Sequence, residues 1–145
     1  MSRYSQGYFT PKNPQKYVGI GKIKYRSSWE LVFMNFADNN DKILQWASEP
    51  MRIPYRNPLT GKQTVYVPDF LIMYQSGNKT ITELIEIKPK SQTMITEKTK
   101  SARDKASIAV NHYKWQAAQA WCHRTGINFR VITEDQIFYQ GQGRK

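Results

Sequence analysis

The chain has 145 residues, the length of one domain with a single core, and a net charge of +11 from 22 Lys and Arg against 11 Asp and Glu. The excess of positive charge predicts a polyanionic partner, most simply nucleic acid, although a basic protein without such a partner could have the same composition. No apolar run is long enough to span a membrane. With one cysteine and two histidines, the chain is not expected to hold an internal disulfide or a structural zinc ion, and it suits a reducing cytoplasm.

The first part of the chain is rich in Gly, Pro, Lys and Tyr and shows no sustained hydrophobic period. We expect residues 1–24 to form an extended N-terminal arm, because the two prolines within it resist helix formation. Such an arm either lies across DNA or a protein partner, or packs on the protein's own surface as a strap. Aromatic residues at helical spacing then predict a helix that begins after Ser27 or Ser28 and ends near Asn39.

Strands are predicted through the middle of the chain. Four apolar runs carry the signal: Ile43–Ala47 (a short strand or turn), Met51–Tyr55, Val65–Ile72 and Thr80–Lys88. Pro54 marks the second run as an edge strand. Turn-forming residues at 57–62 and 75–79 predict hairpins. The second of these turns is short, so we expect the strands that carry Asp69 and Glu86 to be antiparallel neighbours.

A long helix and a last strand are predicted in the C-terminal third of the chain. The helix is expected over residues 102–124, with Gly126 as its stop signal. Seven residues are expected to form its apolar face: Ala106, Ala109, Val110, Tyr113, Ala117, Ala120 and Trp121. The alternating run Ile127–Ile132 predicts the strand. Residues 25–138 are therefore expected to form one α/β domain, followed by a mobile basic tail at 139–145.

Asp69, Glu86 and Lys88 are the charged residues that stand out in the two predicted neighbouring strands. Carboxylates in apolar strands are normally paired or bound to a metal ion, and a cation with an activated water is what phosphodiester hydrolysis requires. We therefore predict a phosphodiesterase in which Asp69 and Glu86 bind Mg²⁺, helped by the Ile87 backbone carbonyl. Lys88, on the same strand face as Glu86, would orient the water or stabilise charge on the phosphate. A structural Asp–Lys pair with a surface glutamate is the alternative.

Glu30, at the start of the first predicted helix, has two interpretations. In the pattern Ser27-x-x-Glu30 it completes a capping box, which by itself explains both residues. In the other interpretation, Glu30 projects over the sheet toward Asp69 as a third carboxylate of the metal site. We adopt the second because of the resemblance described below.

Four basic residues before and within the long helix are candidates for phosphate contacts that hold DNA without reading its sequence, with a solvated charged face as the alternative: Lys98, Lys100, Arg103 and Lys105. Trp115 and Trp121 are expected to belong to the core. His112 and His123 lack metal-ligand spacing and are expected to be ordinary surface or half-buried residues.

Two segments, Pro68-Asp69 and Glu86-Ile87-Lys88, together resemble the signature of the PD-(D/E)xK nuclease superfamily. Three further segments are similar to its TnsA-like branch: Arg26–Glu30, Ile53–Tyr55 and Val131–Thr133. The resemblance implies a restriction-endonuclease-like fold, with a mixed central β-sheet flanked by helices and the site at its edge. It also implies a Mg²⁺-dependent DNA endonuclease, with Mn²⁺ as a substitute ion and Glu30 in the metal site.

The N-terminal segments Arg3–Pro14, Lys16-Tyr17 and Tyr25–Glu30 resemble the head-completion nucleases of large contractile-tailed phages. That resemblance implies action on packaged double-stranded DNA before tail attachment, with portal or head proteins as partners. The place of action would be the host cytoplasm during assembly, or the virion. Two other functions fit the chain: a non-catalytic virion protein that binds the DNA end or the portal, and a recombination or repair nuclease such as a junction resolvase. The complete acid–acid–lysine set argues against the non-catalytic function.

Overall fold

The computed structural model of the protein describes residues 6–137, so the mobile tail predicted at 139–145 lies outside the described residues. Within this range the strands and the two long helices are β1 (Gly7–Phe9), β2 (Ile23–Tyr25), α1 (Ser28–Asn39), β3 (Ile43–Ser48), β4 (Ile53–Arg56), β5 (Gln63–Tyr66), β6 (Phe70–Ser76), β7 (Lys79–Ile87), α2 (Ala102–Thr125) and β8 (Asn128–Ile132). The predicted mixed α/β fold, with a central mixed sheet flanked by helices, is confirmed.

The central sheet has four strands in the order β3, β6, β7, β8. β6 is antiparallel to both β3 and β7, and a tight turn with Gly77 at a φ of +61° joins β6 to β7, as the sequence predicted. Because β8 runs parallel to β7, the chain needs a long crossover between them, and α2 provides it. The pairing of Phe70 with Ile85 sets the register that places Asp69 beside Glu86.

The predicted strand Val65–Ile72 is wrong, since this run forms two strands in different sheets. Tyr66 ends β5, which pairs with β4 as a separate two-stranded sheet, and Phe70 begins β6 of the central sheet. The interruption falls at Pro68, which has no N–H to donate to a strand ladder and is fully buried. Asp69 consequently lies at the entrance to a central strand rather than within one.

Helix α1 begins and ends where the sequence predicted. The Ser27 hydroxyl caps its first turn, and the aromatic face buries Trp29 and Phe33 against the central sheet. Phe33 stacks on Phe70 with ring centroids 4.7 Å apart, and Trp46 lies fully buried in the same core. This packing fixes the N-terminus of α1 near the start of β6, where Asp69 lies.

Helix α2 also matches its predicted bounds, and Gly126 ends it in the left-handed region with a φ of +76°. The predicted apolar face is partly wrong, because Tyr113 is 47% exposed and Ala120 is exposed. The residues that the helix buries are instead Ile108, Asn111, Ala118 and Cys122. Alanines occur all around this helix, so their spacing did not identify the buried side. Trp115 and Trp121 pack against the second core cluster, as expected.

The N-terminal segment is folded onto the domain over its described residues, 6–24. Strand β1 pairs with β2, so the boundary that we placed after residue 24 divides β2. The buried carboxylate of Asp38 accepts the backbone N–H groups of Lys12 (2.8 Å) and Asn13 (3.0 Å), and the Tyr17 ring lies 4.7 Å from the Trp46 ring. The segment therefore forms a strap on the core surface, and a contact between this segment and DNA stays a prediction.

Candidate active site

Asp69 and Glu86 lie together where β6 begins and β7 nears its end. The Ile87 N–H donates to Asp69 Oδ2 at 2.7 Å, which fixes the Asp69 carboxylate against β7. Burial, followed by the charge of Glu86, raises the pKa of Asp69 well above its usual value. Burial likewise raises the pKa of Glu86, which is only 5% exposed. The fold thus holds two carboxylates close together at a cost in charge repulsion and desolvation.

Two side chains hold Glu86 by its two carboxylate oxygens. The Tyr66 hydroxyl donates to Oε1 at 2.6 Å, and Lys88 Nζ lies 3.7 Å from Oε2. Both interactions favour the charged form of Glu86 and oppose the rise of its pKa. The predicted group of Asp69, Glu86 and Lys88 is thus assembled in one place by the antiparallel β6–β7 pair.

Glu30 forms the predicted cap and also lies within electrostatic range of the site. Its Oε1 accepts the Arg26 N–H at 2.9 Å, and its own N–H donates to Ser27 Oγ at 3.2 Å. Burial raises the pKa of Glu30, while the charge of Lys88 lowers it; the Glu30 charge in turn raises the pKa of both Asp69 and Glu86. Capping and a role in the site are therefore compatible for this residue.

A divalent cation suits the Asp69–Glu86 pair. Carboxylate oxygens are the ligands that Mg²⁺ prefers, and it commonly uses only one or two of them. The raised pKa of each carboxyl means that a positive charge placed between them would be stabilising. Among residues 6–137, no three side chains of the His, Cys, Asp and Glu types are grouped closely enough to hold an ion together. The residues present thus fit a two-carboxylate site, and the parts of Glu30 and of the Ile87 carbonyl as ligands stay predictions.

Sequence reasoning missed Tyr66 and Lys114, which border the same site. Lys114 Nζ lies 5.8 Å from the centre of the Tyr66 ring, and its charge acts on Glu86. Tyr66 is three residues before Asp69, but the prediction of one continuous strand concealed the turn that brings it back over Glu86. Nothing in the local sequence distinguishes Lys114 from the other lysines, since only the packing of α2 on the sheet places it here.

An ion pair borders the site on the side of α1. Arg26 Nε donates to Glu49 Oε2 at 2.9 Å, and the Glu49 N–H donates to the backbone oxygen of Asp69 at 2.8 Å. Glu49 has a φ of +46°, a conformation that costs free energy for a residue other than glycine and that often occurs at functional sites. The sequence offered no signal for this pair.

The four predicted phosphate contacts, Lys98, Lys100, Arg103 and Lys105, are all exposed in the loop before α2 and in its first turn. Their exposure leaves both interpretations open, so DNA contact by these residues stays a prediction. His112 and His123 are both exposed, and His112 Nε2 hydrogen-bonds with the backbone oxygen of Thr93. Both are therefore surface residues, as expected.

Residues 40–134 match the family model described as "TnsA-like endonuclease N terminal". The chain belongs to this family. It is also similar to the head completion nuclease of Enterobacteria phage T4, with 39% identity over 141 residues that cover 90% of this chain and 92% of that protein. The resemblance stated from the sequence is thereby confirmed. Asp69, Glu86 and Lys88 lie inside the matched range, whereas Glu30 precedes it. Within the described residues, no helix is long and apolar enough to cross a membrane.

Proposed function

We propose that the protein is a Mg²⁺-dependent DNA endonuclease that acts on packaged phage DNA during head completion, before tail attachment, in the host cytoplasm. The catalytic part of the proposal rests on one observation. The half-buried carboxylate of Asp69 and the buried carboxylate of Glu86 lie close together, with Lys88 beside them. Membership of an endonuclease family and the likeness to a phage head completion nuclease support the role.

In this proposal Asp69 and Glu86 hold the ion, and Mn²⁺ can replace Mg²⁺. When bound, the ion would polarise the phosphate and lower the pKa of a bound water. Tyr66 fixes the orientation of Glu86 through its hydrogen bond of 2.6 Å. Lys88, whose Nζ lies 3.7 Å from Glu86 Oε2, would orient the attacking water and balance negative charge on the phosphate as one P–O bond forms and another breaks.

The net charge of +11 supports duplex DNA as the substrate. A non-catalytic protein that binds the DNA end or the portal would have no need for buried carboxylates whose charges repel each other, because these cost stability and give nothing to binding a polyanion. We therefore favour an enzyme, with portal or head proteins as partners that bring it to the DNA.

A plasmid-nicking assay tests the catalytic proposal. We expect the purified protein to cut plasmid in Mg²⁺ or Mn²⁺ and to stop when EDTA is added. Asp69→Ala should lower the rate by about 1,000-fold or more, as expected when a metal ligand at a reacting phosphate is removed. Asp41→Ala, which changes an exposed carboxylate between α1 and β3, is the matched control and should cut normally. The enzyme proposal fails if the wild-type protein nicks no faster than Asp69→Ala.

Two further measurements test the biological part of the proposal. Equal cutting of linear and branched duplexes is expected, whereas strong preference for four-way junctions would favour a recombination or repair nuclease. A phage carrying Asp69→Ala in this chain should accumulate DNA-filled heads without tails. Normal yields of infectious particles from that phage would separate the nuclease activity from head completion.

A further inference from the structure

Lys114 lies on the side of α2 that faces the sheet. It is three residues after Asn111 and four before Ala118, both of which are buried, so the three side chains share one helix face. Helix α2 packs over β4, and Lys114 Nζ lies 5.8 Å from the centre of the Tyr66 ring at the end of β5. The hydroxyl of the same ring donates to Glu86 Oε1, so one side chain separates the ammonium from the carboxylate pair.

The side chain of Lys114 is half-buried and has no ion-pair partner among residues 6–137. The ion pairs of arginine and lysine in this range are Arg26–Glu49, Lys88–Glu86, Lys90–Asp135 and Arg130–Glu83. Burial and then the charge of Lys88 lower the pKa of Lys114, while the charges of Glu86 and Asp69 raise it. A cation kept partly out of water without a direct partner is costly, which points to a ligand that supplies the missing negative charge.

Two kinds of anion are available at this place. Glu86 already receives the Tyr66 hydroxyl and the Lys88 ammonium, and in the proposed function its charge is shared with a metal ion. The other anion is the substrate, whose backbone presents a phosphate every few ångströms along each strand. Lysine is well suited to it, because an ammonium binds a phosphate oxygen as a point charge with little demand on geometry.

We propose that Lys114 is a second phosphate-binding residue of the active site, which holds a phosphate oxygen of the bound DNA strand on the α2 side of the carboxylate pair. In this arrangement Lys88, at the end of β7, acts on the attacking water and the reacting phosphate. Lys114, on α2, holds the DNA backbone. This inference rests on the proposed nuclease function. The alternative is a structural role, in which Lys114 only covers the Tyr66 ring through a cation–π contact.

The test compares Lys114→Met and Lys114→Arg with the wild-type protein and with Lys79→Met. Lys79 is an exposed lysine at the first residue of β7, roughly 23 Å along the strand from Glu86, so it controls for the removal of one charge. We expect Lys114→Met to lower kcat/KM for duplex cleavage by about 10- to 100-fold, the usual effect of removing one charged hydrogen-bond donor. Lys114→Arg should recover most of that loss in kcat/KM, and Lys79→Met should cut normally.

Binding is measured separately, with Ca²⁺ in place of Mg²⁺ and a fluorescent duplex at several salt concentrations. If Lys114 holds one phosphate, the slope of log K against log salt should fall by about 0.9 in Lys114→Met and stay unchanged in Lys114→Arg. A structural role predicts another pattern: a lower Tm and an unchanged salt slope. If Lys114→Met does not fold, Lys114→Gln takes its place in both measurements.

The outcomes for the two proposals are distinguishable. If the wild-type protein cuts DNA and Lys114→Met cuts equally fast with the same salt slope, the Lys114 inference is wrong and the nuclease proposal stands. If the wild-type protein does not cut with either metal, the nuclease proposal fails, and an unchanged salt slope in Lys114→Met then overturns the Lys114 inference as well.

Discussion

At the scale of single residues, the protein concentrates unfavourable charge where the proposed chemistry needs it. Asp69 and Glu86 both have raised pKa values, for which burial is the largest cause, and the Glu86 charge adds to the effect on Asp69. Such pairs occur mainly at functional sites, where stability is given up for an arrangement that a ligand completes. The metal-free protein should therefore become more stable when one of these charges is removed.

Asp69→Asn tests this stability cost without changing the shape of the side chain, and the amide oxygen that it introduces can still accept the Ile87 N–H. The folded-state pKa of Asp69 lies above its unfolded value near 3.8, so its stabilising contribution is complete below pH 3.8 and is lost as the pH rises through the folded pKa. In EDTA at pH 7, we expect the substitution to stabilise the protein by about 1 kcal/mol, or about 3 °C in Tm.

The gain in Tm should disappear as the pH approaches 4, where the carboxyl becomes protonated in both states. Saturating Mg²⁺ should reverse the order, because it stabilises only the protein that binds it. Asp41→Asn, which changes an exposed acid, should show neither effect. A Tm for Asp69→Asn that lies below wild type at pH 7 in EDTA would show that the Asp69 charge stabilises the metal-free fold.

Residue types and spacing were enough to predict Asp69, Glu86 and Lys88 as neighbours, because a short turn between two apolar runs fixes antiparallel pairing. Tyr66 and Lys114 could not be predicted in this way. Tyr66 reaches Glu86 only because the chain leaves one sheet for another at Pro68. Lys114 lies near the Tyr66 ring only because of the orientation in which α2 packs. Both depend on tertiary packing, which local patterns do not encode.

At the scale of elements, the first turn of α1 combines a cap with a charge near the site. Ser27 Oγ and Glu30 Oε1 each accept one backbone N–H there, and Glu30 also acts electrostatically on both carboxylates of the site. The sequence predicted the helix and the cap correctly. Variants that separate hydrogen bonding from charge show whether the Glu30 charge contributes to metal binding.

Ser27→Ala and Glu30→Gln make that separation. Ser27→Ala removes the cap and should cost about 1 kcal/mol of stability with little change in cleavage rate. Glu30→Gln keeps an oxygen that can accept the Arg26 N–H, so its Tm should stay close to wild type. If the Glu30 charge serves the site, Glu30→Gln should raise the Mg²⁺ concentration for half-maximal cleavage by about tenfold. An unchanged Mg²⁺ requirement would leave capping as the whole role of Glu30.

The N-terminal strap shows how one buried polar residue can decide where an irregular segment lies. The Asp38 carboxylate is 1% exposed and accepts the N–H groups of Lys12 and Asn13, while the Asp38 backbone oxygen accepts the Lys16 ammonium. The sequence left this segment open between an arm and a strap, because hydrogen bonds from a helix side chain to a distant backbone have no periodic signature.

Asp38→Ala should release the strap. It leaves two N–H groups without their acceptor, and each buried group that loses its partner costs about 1–3 kcal/mol. We therefore expect the free energy of unfolding, measured by urea denaturation, to fall by roughly 2–4 kcal/mol, and proteolysis between β1 and β2 to become faster. Asp41→Ala serves as the control, since Asp41 is exposed. Unchanged stability of Asp38→Ala would mean that aromatic packing on Trp46 holds the strap without these bonds.

At the scale of the whole molecule, a chain with a net charge of +11 holds two carboxylates, Asp69 and Glu86, close together at the proposed active site. In the proposed function, the excess positive charge attracts DNA of any sequence, and the carboxylates repel phosphate until a cation neutralises them. Apart from Lys114, which is proposed to contribute to both, different residues are therefore expected to determine affinity and catalysis. Exposed lysines and arginines should determine how binding responds to salt, and the metal should determine whether cleavage follows.

The four exposed residues Lys98, Lys100, Arg103 and Lys105 are the best test of this division, because they are clustered next to α2 rather than spread over the surface. Replacing all four by Gln should reduce the salt slope of duplex binding by about 0.9 for each phosphate that is no longer bound, and thus by up to about 3.6. At saturating DNA, kcat should change little, since these side chains are not placed among the reacting groups. Replacing Lys42 and Lys79, at the opposite end of the central sheet, provides the comparison per charge removed. Equal slope changes per charge in the two variants would mean that net charge alone binds the DNA, whereas a larger change in the first variant would place the duplex along the start of α2.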